Sequence, residues 1–132
     1  MNPDREELTW LPRDCAATVA KVRTALTALD DEFVAHAYPA HTDAGEAARS
    51  ARLALICARR AGWWQVLVRR LRTDRFAPHL FWLAAVEAAQ RARADARFWR
   101  DTAADWRARA ESRPTSEVAG AMSNHHDLGI AS

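Results

Sequence analysis

Four glycines and five prolines are all the chain breakers that 132 residues carry. No glycine-rich phosphate loop and no nucleophile elbow can be assembled from so few, and no HExxH run is present. Cysteine is as scarce. Cys15 and Cys57 stand far apart inside apolar patterns with no CxxC spacing, so they read as small core residues, not as a disulfide framework or a metal site. β-Branched residues are sparse, and almost no stretch alternates apolar and polar residues with a period of two, which argues against strands. The longest apolar run, Leu80 to Val86, is far too short to span a bilayer. Met1 to Trp10 is acidic and polar, unlike a secretory signal. A cytoplasmic protein with no membrane contact and no cofactor is expected.

What the chain does have is alanine, 30 residues of it, the best helix former of all. Its length suits one domain with a single core. The basic residues are 18 arginines and one lysine, Lys21, yet net charge is only +2. High-GC coding explains both biases together, and bidentate anion recognition is the other explanation for the arginines. Charge is unevenly spread. Residues 49–75 hold eight arginines against Asp74, while residues 1–48 are net acidic.

The apolar periodicity predicts an antiparallel four-helix bundle with a long C-terminal helix, over residues 12–37, 43–61, 63–72 and 78–112. Cys15, Val19, Val22, Leu26, Leu29 and Phe33 form an unbroken heptad seam for the first helix, which stops before Tyr38-Pro39. Asp43 to Glu46 has the form of a capping box opening the second. Ala47, Ala51, Ala54 and Ala58 share one face there, and Arg49, Arg52, Arg59 and Arg60 lie opposite. Beyond Gly62 the apolar direction swings by well over ~90°, as Trp63, Leu67 and Leu71 fall on or beside the arginine face. A helix end at Ala61, capped by Gly62, is the expected solution. The short third helix is broken at Thr73-Asp74, and Pro78 opens the fourth. Residues 80–89, apolar almost all round, should be buried on most sides. Residues 1–112 are read as one domain and residues 113–132 as a flexible tail.

Three surfaces are candidates for function. The last helix keeps a seam of Trp99, Ala103, Trp106 and Ala110 that overhangs a simple bundle, and tryptophan is enriched at interfaces. This favours a non-enzymatic interaction or assembly module that self-associates or docks on a protein partner. The arginines Arg49, Arg52, Arg59, Arg60, Arg69 and Arg70 offer an alternative, contact with nucleic-acid phosphates, with Trp63 or Trp64 near enough to stack on a base. Paired with Asp30, Asp31 and Glu32 of the first helix, the same arginines would simply be neutralised. Glu32, His36 and His41 lack the repeated Glu-x-x-His of carboxylate-bridged metal bundles, so no metal is expected.

The third candidate is catalytic. Arg72 and His79 are separated by six residues, including polar Thr73 and Asp74. That spacing resembles the arginine–histidine pair of the HEPN ribonucleases, small dimeric helical bundles, and the resemblance covers these eight residues only. It implies RNA cleavage by Arg72 and His79 at the junction opened by Pro78.

Overall fold

The computed structural model describes residues 13–112, and these are helical apart from two short connections. Among the described residues there are three helices, α1 (Arg13–Ala35), α2 (Asp43–Thr73) and α3 (His79–Glu111). The all-helical class is as expected; the count of four is not. Residues 43–61 and 63–72 belong to one helix of 31 residues that runs through Gly62. The tail 113–132 and the lead-in 1–12 lie outside the described residues.

Helix α2 stays unbroken because it is the central element and serves two neighbours. With Ala54 as the origin, Trp63 and Leu67 land roughly 180–220° away, whereas Ala47, Ala54 and Ala61 fall within roughly 40° of one another. The large residues meet α1 and the small ones meet α3. The swing in apolar direction is therefore a change of partner and not a break. Gly62 sits on the exposed side of this helix, and a Cβ built there would meet nothing within 4 Å.

The core divides into two clusters, one at each end. Cys15 of α1, Val68 and Leu71 of α2 and Ala85 of α3 anchor the first, with Trp64, Leu67, Trp82 and Val86 packed against them. Leu29 of α1 with Leu53 and Ile56 of α2 anchor the second, flanked by Phe33, Trp63 and Trp99. Along α3 the buried residues are all alanine (Ala85, Ala89, Ala92, Ala96 and Ala103), at heptad spacing. Such a seam leaves little side chain between the α2 and α3 axes. At 33 residues α3 is ten longer than α1, as expected, but α2 at 31 residues nearly matches it in length.

Local signals set the helix ends. The cap of α2 is Thr42, whose hydroxyl accepts from the Gly45 N–H at 2.9 Å, one residue earlier than the Asp43 cap expected from the sequence. Glu46 reaches back beyond it, accepting from the Ala40 N–H. At the other end the Asp74 carboxylate accepts from the Phe76 N–H at 2.8 Å and turns the chain toward Pro78. The apolar run 80–89 is not buried on most sides. Ala85 and Ala89 face the core, while Leu80 is 70% and Leu83 45% exposed, because α3 has no neighbour on its outer side among the described residues. No helix among these residues is long and apolar enough to cross a membrane.

Candidate functional site

Three of the six candidate anion-binding arginines are spent holding α1 to α2. Arg49 donates from Nε to the His36 carbonyl at 2.8 Å and from Nη2 to the Ala37 carbonyl at 3.0 Å. It thereby satisfies carbonyls left over where α1 ends, and its guanidinium lies 5.8 Å from the centre of the Trp99 ring. Arg52 pairs with Glu32, and Arg60 with Asp30 at 2.7 Å while stacking over Phe33. Acids near the C-terminus of α1 oppose its dipole, and these two arginines compensate for them. Arg70 is half-buried beside Cys15 and Asp74, whereas Arg59 and Arg69 are exposed.

The tryptophan-bearing seam of α3 also turns inward. Ala103 is 3% exposed, and Trp99 packs on the Leu29–Leu53–Ile56 cluster, edge-on to Phe33 at 6.4 Å. Trp106 is half-buried under Arg109 at 4.7 Å, and Ala110 is half-buried. Trp99 therefore has a partner in α1.

Arg72 and His79 do come together. Both line a small pocket of about 310 Å³ at the α2–α3 turn, with Asp74 and Trp82. The His79 ring stacks on Trp82 at 5.4 Å. Glu32 is engaged by Arg52, and the His36 Nδ1–H donates to the Glu32 carbonyl at 2.8 Å, so neither is turned toward a metal. Among the described residues no group of three or more His, Cys, Asp or Glu side chains is placed to hold an ion. Both cysteines are buried free thiols. Burial pushes each thiol above its ordinary range, helped at Cys15 by hydrogen bonding to Asp74 and opposed at Cys57 by Arg60.

A further concavity lies on the other side of the α2–α3 pair from α1. It is an open groove of about 1000 Å³. Ala51, Ala54, Ala58, Ala61 and Gly62 of α2 with Ala96 and Ala103 of α3 form its floor, and Leu55, 55% exposed, projects beside them. From Ala51 to Arg69 it follows α2 for about 27 Å at 1.5 Å per residue. Its rim is arginine: Arg69 on one wall, Arg93, Arg97, Arg100 and Arg107 on the other. No acidic residue lines it. Arg93 donates to Gln65 at 2.7 Å across the pair, while Arg69, Arg97, Arg100 and Arg107 join no ion pair among the described residues.

Sequence reasoning missed this rim, although a signal existed. Arg93, Arg97, Arg100 and Arg107 follow one residue behind Ala92, Ala96, Trp99 and Trp106, a heptad stripe adjoining the apolar seam. Residues 49–75, where arginine is densest, contribute only Arg69 to this rim. No protein-family model, curated protein or solved structure matches the chain.

Proposed function

We propose that this protein is a non-enzymatic docking module whose α2–α3 groove receives a helix from a partner. The observation that carries this reading is the groove itself. Helices α2 and α3 bury one common face under α1 and leave the opposite one open, floored by alanine and with Leu55 exposed. Small residues admit a close helix approach, and a layer of side chains from a fourth helix is what such a floor lacks. The reading keeps docking through the last helix and keeps Ala103, but moves the contact from Trp99 and Trp106 to the arginine edge beside them.

The test is co-purification from the native host with the full chain as bait, wild type beside Ala58→Glu. Ala58 is an exposed floor residue, so a carboxylate there obstructs the groove without touching the core. Proteins held by the wild type and lost by the variant support docking; an identical set from both baits removes it.

A second reading, ribonuclease chemistry at Arg72 and His79, is favoured by the pocket they share. It requires cleavage of single-stranded RNA that His79→Ala abolishes. RNA left intact by the wild type disposes of it.

A further inference from the structure

We infer that the groove's occupant is an acidic amphipathic helix from a different protein, with bulky apolar side chains on one face and carboxylates along both edges. The inference rests on the docking reading and adds the partner's chemistry to it. Charge is the first argument. Five arginines and no acid line the groove, and none of the five has a carboxylate of its own among the described residues. An occupant helix about 18 residues long would place its edge residues under both walls, where carboxylates meet guanidinium groups in bidentate geometry.

The described residues of a second copy do not supply that. Two grooves brought face to face by a two-fold axis would confront ten arginines with no compensating acid. The outer face of α1, with Lys21, Thr24, Thr27, Ala28, Asp31 and Val34 exposed, offers one acid and one bulky apolar residue on that face, too few to answer five arginines. Nucleic acid fits the rim but not the floor. No aromatic ring lines the groove on which a base would stack, and alanine offers nothing to a phosphate. The floor asks for apolar side chains, and the recessed alanines leave room for large ones such as leucine.

The experiment uses full-length protein and a labelled 18-residue peptide with leucine at heptad core positions and glutamate on both flanks, followed by fluorescence anisotropy. The same peptide with its residues scrambled, its lysine-for-glutamate counterpart and an 18-nucleotide single strand serve as competitors. The expected result is binding at least tenfold tighter than the scrambled peptide, weakened at least tenfold by Arg97→Glu/Arg100→Glu. That double variant should instead bind the lysine peptide, a swap that mere loss of folding cannot produce. Should it melt early, Arg107→Glu replaces it, since Arg107 is an exposed rim residue on its own turn. Equal binding of ordered and scrambled peptides, preferential binding of the oligonucleotide, or no binding at millimolar peptide each overturns the inference. The two proposals fail separately. If Ala58→Glu strips partners while the acidic peptide does not bind, docking stands and the acidic partner falls.

Discussion

Replacing Gly62 with alanine should stabilise this protein, and the sign of the effect decides between two descriptions of its longest stretch. Gly62 lies in the interior of α2, more than ten residues from either end. Glycine there costs about 1 kcal/mol relative to alanine, because it forfeits more backbone freedom on folding. A methyl group at this position is sterically free, since its Cβ would meet nothing within 4 Å. No contact is lost and none is forced, so the whole backbone term should appear in the measurement. For a domain of this size about 1 kcal/mol corresponds to an upward shift of about 4 °C in Tm. Thermal and urea denaturation followed by circular dichroism at 222 nm would register it, with an unchanged m-value showing that the folded and unfolded states keep their compactness. The opposite description has helix ends at Ala61 and Gly62 as a left-handed cap. Alanine at such a cap is strained, and the variant would then lose stability and helical signal. A fall in Tm would refute the continuous helix and, with it, the groove that α2 walls.

Three other perturbations follow from particular side chains. Arg49→Ala removes two hydrogen bonds to the carbonyls at the end of α1 as well as the stack on Trp99, and should cost about 2 kcal/mol in chemical denaturation. Arg49→Lys should recover little of it, because an ammonium cannot span both carbonyls. Ser50 is fully buried, and its hydroxyl has no hydrogen-bond partner, so Ser50→Ala should be neutral or stabilising by up to about 1 kcal/mol; a loss above that would expose a partner for the hydroxyl. Cys15 and Cys57, buried and with raised pKa, should resist a thiol reagent at neutral pH until the protein is unfolded. Because the shift is upward, native reactivity should lag behind that of the unfolded chain as pH rises through the ordinary thiol range. Rapid labelling of either residue in the native state would contradict the packing at that end of the core.

Much of this architecture was legible. The heptad seam from Cys15 to Phe33 marks α1, and the end at residue 37 expected from Pro39 lies two residues beyond the observed end at Ala35. Pro78 and Ser112 bracket α3 with the same accuracy. The neutralising partners of Asp30 and Glu32 were also foreseeable, since acids at a helix C-terminus need cations nearby. The Gly62 break was not a misreading of periodicity. A helical projection assumes one buried direction, and a central helix has two. Only the tertiary arrangement distinguishes a helix that changes partner from one that stops.

The groove was hidden for a different reason, which also explains where the unpaired charge ends up. Alanine is written the same way in a sequence whether it is sealed between helices or left as an open floor: Ala54 and Ala61 are buried, and Ala58 between them is exposed. Charge separates the two cases better than hydropathy does. On the α1 side of α2, the acids Asp30 and Glu32 answer Arg60 and Arg52, and the main-chain carbonyls of His36 and Ala37 answer Arg49. Every one of these arginines faces a neighbouring helix. On the far side Arg69, Arg97, Arg100 and Arg107 stand in the same relation to an apolar seam, flanking it at helical intervals, and no helix of the described residues stands opposite. An amphipathic face that is neutralised where it is covered and left charged where it is open implies that the missing cover carries the missing charge. On the proposed reading the bound form would have three helices from this chain and one from a partner, not the four helices of a single chain expected from the sequence.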